Sequence, residues 1–188
     1  NYNYYNSFSV FDNKLNLIDN YNKIKLVPFG EFVPIENILN KFGLKTITNN
    51  IGSFDKGVRR KIIKIKDDLK QINFLPLICY EIIYSGNLTK NFDFDFILNI
   101  SEDGWFGDTI GPYQHFSHSL FRSIEEGKTL IRSANNGITA IVNPLGVVEE
   151  QVDLNQSGFI DLFKTKKIEP TIFSKYGNKI FVLIILLY

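Results

Sequence analysis

Phe74-Leu75-Pro76-Leu77-Ile78-Cys79-Tyr80-Glu81-Ile82-Ile83-Tyr84 is the stretch on which the reading of this chain turns. Its first half is an apolar run of strand length, flanked by polar residues. The run ends at a thiol, Cys79, and a carboxylate, Glu81, follows shortly after it. A strand end is a rigid place from which to present a reactive atom. Cys79 is also the only cysteine in the 188 residues, which excludes an internal disulfide. Taken alone, a single cysteine is more often a small buried hydrophobe than a nucleophile, because thiol reactivity depends on the charges around it. Tyr80 and Glu81 have a plain alternative too, as the first turn of a helix, where a carboxylate favours the dipole.

Outward from this segment the patterning alternates strands with a few helices. Ser7–Phe11 and Leu15–Ile18 read as strands about a turn at Asp12-Asn13-Lys14. Residues 25–29 read as a short apolar strand, followed by a loop at Gly30-Glu31 bracketed by Pro28 and Pro34. Ile35, Ile38, Leu39 and Phe42 fall on one helical face. Residues 46–57 are a polar loop, and 61–65, 73–79 and 94–100 are strands. Residues 112–127 make the best helix, with proline at its start and glycine past its end. Residues 131–134 and 138–143 are further strands, with a turn at Pro144-Leu145-Gly146. Periodicity by itself supports a mixed α/β domain.

Composition narrows the class. Hydrophobic residues make up 44% and aromatics 14%, which argues for a packed globule. A net charge of +1 gives no case for a nucleic-acid partner. No methionine occurs, which suggests a fragment or an excised domain. Ile180 to Tyr188 is an unbroken apolar run, too short to cross a bilayer. It reads either as a buried terminal strand or helix, or as the first half of a transmembrane helix. Lys175, Tyr176 and Lys179 stand before it where an interfacial anchor would lie.

Three further blocks accompany the Cys79 segment. Tyr21-Asn22-Lys23-Ile24-Lys25-Leu26-Val27-Pro28-Phe29-Gly30-Glu31-Phe32-Val33-Pro34 lies upstream. Asn99-Ile100-Ser101-Glu102-Asp103-Gly104-Trp105-Phe106-Gly107-Asp108 and Arg132-Ser133-Ala134-Asn135-Asn136-Gly137-Ile138-Thr139-Ala140 lie downstream. In this order they resemble the carbon–nitrogen hydrolase (nitrilase) superfamily, and within it the periplasmic domain of the apolipoprotein N-acyltransferase family. The resemblance implies a four-layer α-β-β-α sandwich, incomplete at the N-terminus, over residues 1–170. Residues 171–188 would then be an exit segment and the start of a truncated transmembrane helix.

The resemblance also implies chemistry. Acyl transfer through a thiol needs a thiolate, a base, a donor for the oxyanion and an apolar place for the acyl group. Cys79 matches the family's nucleophile and Lys23 its catalytic lysine; a lysine there would otherwise be a solvated surface charge. Glu31 matches a second carboxylate that could orient Lys23 or the incoming nucleophile, and is otherwise a loop charge or cap. Glu81 and Tyr80 flank the thiol, as a further catalytic carboxylate and a substrate contact. Trp105 and Phe106 would line the acyl pocket, or else serve a structural turn with Gly104 and Gly107.

The implied function is a membrane acyltransferase. It takes a fatty acyl group from a phospholipid, holds it as a cysteine thioester, and passes it to the N-terminal S-diacylglyceryl-cysteine of an apolipoprotein. No cofactor or metal is implied; His115 and His118, three apart on the expected helix, have no acidic or thiol cluster with them. The implied location is the bacterial inner membrane, facing the periplasm. The family's base is a glutamate in a Pro-Glu block upstream of the lysine, and no such block precedes Lys23. The expectation is therefore a chain inactive alone, with a separately encoded upstream half as a further partner. The alternatives are a soluble nitrilase-type amidase and a catalytically dead remnant with a binding or structural role.

Overall fold

The structure, a computed structural model, describes residues 2–34, 53–66, 71–86 and 88–188. It divides into two compact units, residues 1–60 and 61–188.

In the first unit β1 (Ser7–Phe11) pairs antiparallel with β2 (Leu17–Asn22). The Asp12 carboxylate closes the turn by accepting from the backbone N–H groups of Lys14 and Asn16. Leu15 sits in this turn at φ 63°, so β2 begins later than the expected Leu15. The strand expected over 25–29 is instead a tight turn. Pro28 has no N–H to give a ladder, Phe29 is at φ 62°, and the Gly30 and Glu31 N–H groups both donate to the Val27 carbonyl. The helix expected over 35–42 lies outside the described residues, as does most of the 46–57 loop.

The second unit is built on a six-stranded sheet ordered β3-β4-β5-β6-β7-β8. The strands are β3 (Ile63–Lys66), β4 (Gln71–Ile78), β5 (Phe96–Glu102), β6 (Thr129–Asn135), β7 (Thr139–Val142) and β8 (Val148–Val152). β4, β5 and β6 are parallel and the outer pairs antiparallel. Parallel neighbours need a crossover, and α1 (Gly111–Glu126) supplies it between β5 and β6. Pro112 opens α1, and Gly127, at φ 63°, ends it.

β4 is buried from Asn73 to Ile78, as expected of an interior parallel strand. Pro76 fits there because β3 pairs only with residues 71–74, so its missing N–H falls past the end of that ladder. Leu75, Leu77, Ile82, Phe94, Ile97 and Leu130 form the centre of the core. β8 escapes sequence patterning: Val-Glu-Glu-Gln-Val is a mostly exposed edge strand with little apolar signal.

At the C-terminus α2 (Ile172–Tyr176) is followed by α3 (Lys179–Leu187). Residues 181–187 are helical, and 181–188 are exposed rather than a buried strand. Among the described residues no helix is long and apolar enough to cross a membrane.

Candidate active site

Cys79 stands where β4 leaves the sheet and enters a 3₁₀ turn, Cys79–Ile83. Its φ is 48°, in the left-handed region that a residue with a Cβ enters at a cost of roughly 1–2 kcal/mol. Such strain persists only where the surroundings over-determine the backbone. Glu81 helps to do so: fully buried, its carboxylate accepts from the Ile78 N–H at 2.9 Å. The thiol is partly buried. Tyr80, also partly buried, meets the Tyr84 ring edge-on at 5.5 Å.

Behind the turn lies a buried polar network. Arg132, on β6, is fully buried and donates to Asp103 Oδ2 at 2.6 Å, to the Ile138 carbonyl at 3.2 Å and, through a short hydrogen bond, to Asn99 Oδ1. Asn99 Nδ2 in turn donates to the Leu77 carbonyl at 3.0 Å. Asp103 Oδ1 accepts from the Ser101 hydroxyl at 2.7 Å and lies 2.9 Å from His115 Nδ1. A carboxylate needs a donor there, so Nδ1 carries the proton, and the Arg132 nitrogen 3.1 Å from it is a contact. Burial pushes the Asp103 carboxyl up, but the His115 hydrogen bond, the Arg132 charge and the Ser101 hydroxyl together hold it below the usual carboxylate range. Gly137 permits this packing: a Cβ there would lie 2.5 Å from Asp103 Oδ2.

Lys23 belongs to the 1–60 unit. Its side chain is 1% exposed, and its ammonium is 2.9 Å from Glu31. Glu31 also accepts from the Val27 N–H at 2.8 Å and from the Asn6 amide at 2.6 Å. The turn at 27–31 thus delivers a buried carboxylate that fixes Lys23, so neither residue is an ordinary surface charge. Gly57 is required beside them: its N–H donates to the Lys23 carbonyl at 2.8 Å, and a Cβ would fall 2.1 Å from the Asn22 oxygen.

Trp105 and Phe106 occupy a short 3₁₀ turn, Gly104–Phe106. Trp105 is 74% exposed. Phe106 packs on Gly111 and on the His115 ring, 5.4 Å between centroids. A polar cleft of about 460 Å³ opens where β6 ends, lined by Ser133, Asn135, Asn136, Thr139 and Gln156. Among the described residues no group of three His, Cys, Asp or Glu side chains could hold a metal ion. His115 is engaged by Asp103; burial first, then the charges of Arg122 and His115, push His118 below its ordinary range.

The structure thus brings Cys79, Tyr80 and Glu81 together in one turn, and Lys23 with Glu31 in another. Sequence reasoning gave Asn99, Asp103 and Arg132 no role, although each lies in a quoted block. Their signal was weak but present: an Asp, an Asn and an Arg inside apolar strand-like context must find partners when buried.

Comparison with known proteins supplies the family. The carbon-nitrogen hydrolase family model matches residues 1–162. A protein of Rhizobium leguminosarum bv. trifolii (strain WSM2304) named apolipoprotein N-acyltransferase is 45% identical over 159 residues, 84% of this chain and 29% of that protein. One of the same name from Wigglesworthia glossinidia brevipalpis is 40% identical over 188 residues, 94% of this chain and 36% of that protein. The chain therefore spans about a third of the length of the curated relatives it matches. Among solved structures, a glutamine-dependent NAD+ synthetase from Acinetobacter baumannii superposes with a TM-score of 0.56 at 14% identity, covering 82% of this chain and 27% of that one. An amidase from Nesterenkonia sp. does so with a TM-score of 0.50 at 14% identity, covering 79% and 51%. These likenesses bear on the fold, which is the mixed α/β fold of the nitrilase superfamily. With the family model matched across most of its length and Cys79 set at the end of β4, the chain belongs to the carbon-nitrogen hydrolase family.

Proposed function

We propose that the chain is the acyl-transferring part of an apolipoprotein N-acyltransferase. The Cys79 thiolate attacks the ester carbonyl of a phospholipid. The ester C–O bond breaks, and the lysophospholipid oxygen leaves with a proton. The thioester carbonyl is then attacked by the α-amine of an S-diacylglyceryl-cysteine; the amide forms, the C–S bond breaks, the thiolate returns and the proton lost by the amine balances the one taken up with the lysophospholipid. Lys23, fixed by Glu31, is the cation that stabilises the thiolate and the oxyanion of each tetrahedral intermediate. Glu81 shapes the nucleophile turn, and Tyr80 contacts the acyl group. Trp105 and Phe106 offer it an apolar rest, and the polar cleft beyond β6 suits the acceptor's peptide.

The observation that carries the reading is Cys79 held at φ 48° on the end of a buried strand, in a chain whose relatives bear this name. Residues 1–170 form the hydrolase-type domain, and 171–188 lead toward the inner membrane from the periplasmic side. The exposed apolar α3, after Lys175, Tyr176 and Lys179, supports that placement. The test uses membranes from cells expressing a full-length acyltransferase that contains this chain, with phospholipid and a diacylated lipopeptide. The expected result is N-acylated lipopeptide, lost in Cys79→Ala. Hydrolysis of small amides without lipid transfer would overturn the reading in favour of a nitrilase-type amidase.

A further inference from the structure

The peptide unit between Leu77 and Ile78 lies one residue upstream of the Ile78–Cys79 peptide, and two buried side chains hold it from either end. Its carbonyl accepts from Asn99 Nδ2 at 3.0 Å, and its N–H donates to Glu81 Oε2 at 2.9 Å. Asn99 and Glu81 are both fully buried. The Asn99 amide has one possible orientation: a carbonyl on one side needs the NH₂, and a guanidinium on the other needs the oxygen. Arg132 is itself fixed by Asp103 and the Ile138 carbonyl, and Asp103 by Ser101 and His115. Leu77, Asn99 and Arg132 stand abreast, in register, on β4, β5 and β6. The chain of bonds therefore runs straight across the parallel strands, two residues before the point where Cys79 leaves the sheet.

We infer that Asn99 and Arg132 are positioning residues for Cys79: Asn99 grips the Leu77–Ile78 peptide at the end of β4, and Arg132 fixes Asn99 and keeps a cation near the reactive turn. The inference rests on reading Cys79 as the nucleophile. A strained turn needs such a grip, because a freed Leu77–Ile78 peptide would let Cys79 relax from its positive φ. The electrostatics agree. Burial pushes the Arg132 guanidinium down, while the Asp103 carboxylate and the charge of the Cys79 thiolate hold it up. Charged groups at this end of the sheet, among the described residues, include Glu81 on the turn itself, Glu102 at the end of β5 and Asp103 after it, Asp153 after β8, and His115 on α1 when protonated. Arg132 is the cation the network holds among them.

Cys79 is the only thiol, so iodoacetamide alkylation of the full chain in detergent reads that residue alone. The reactive species is the thiolate, so Arg132→Gln is expected to slow alkylation at pH 7 about tenfold, and Arg132→Lys to keep most of the wild-type rate. A folded Arg132→Gln that reacts at the wild-type rate, or an Arg132→Lys as slow as it, overturns the role of the cation. If Arg132→Gln does not fold, Asp103→Asn alone, which leaves the Arg132 charge uncompensated, is expected to speed alkylation, and a rate at or below wild type overturns the role of the cation. The grip is read separately by amide hydrogen exchange. Asn99→Leu, which leaves Arg132 bonded to Asp103, is expected to speed exchange at Ile78 selectively over the rest of β4. Uniform change along β4, or none, overturns the grip. Alkylation needs no acyl donor, so absence of lipid transfer would sink the functional reading and leave the positioning roles standing.

Discussion

Asp103→Ala should be among the most damaging single substitutions in the 61–188 unit. Asp103 and Arg132 are both fully buried and 2.6 Å apart, so removing the carboxylate strands a guanidinium in the core. Breaking a buried pair from one side costs about 3–5 kcal/mol. The hydrogen bonds from His115 and Ser101 go with it, each worth about 1 kcal/mol on its own but not additive within one network. We take ~3–5 kcal/mol as the total, which for a chain of this size is a fall in Tm of about 6–20 °C. Thermal and urea unfolding followed by circular dichroism would measure it. Asp103→Ala with Arg132→Met should recover much of the loss, because both charges then leave together. The effect also has a pH signature. The Asp103 carboxyl is held below its unfolded value in the native state, so its contribution is complete above about pH 4 and fades as pH falls through the lower folded value. The gap between wild type and variant should narrow in that acid range. A single substitution costing under about 1 kcal/mol at pH 7 would refute the account of the pair as a stranded-charge device.

Gly137→Ala places a methyl 2.5 Å from Asp103 Oδ2 and should cost about 1–3 kcal/mol in urea unfolding; a neutral result would mean that Asp103 can move freely. The isolated chain of residues 1–188 should give no N-acylation of a diacylated lipopeptide, because residues 1–22 contain no glutamate to act as the upstream base; product abolished by Cys79→Ala would mean that another group replaces it. Deleting residues 180–188 should reduce aggregation and vesicle binding and leave Tm unchanged, since residues 181–188 are exposed; a lowered Tm would show that α3 packs on the domain.

Several features were readable from the residues because their causes are local. The apolar run before Cys79 makes a buried strand wherever it is placed in a sheet, and it does so here as β4. Pro112 and Gly127 delimit α1, since proline suits the first turn and glycine takes the left-handed cap. Residues 25–29 misled for a local reason as well. Apolarity suggested a strand, but Pro28 and the Glu31 carboxylate, which takes the Val27 N–H, made a turn.

The partnerships were beyond the sequence. That Lys23 is buried against Glu31 depends on a turn at Phe29 that brings them together. Asn99, Asp103, His115 and Arg132 come from β5, the loop after it, α1 and β6. Only the side-by-side register of the parallel strands sets Arg132 beside Asn99 and Asn99 beside Leu77. Sequence shows the polar residues that burial would force to find partners. Which partners they find is decided by strand order and register, because hydrogen bonds between strands depend on position to within an ångström and chain separation carries no such information.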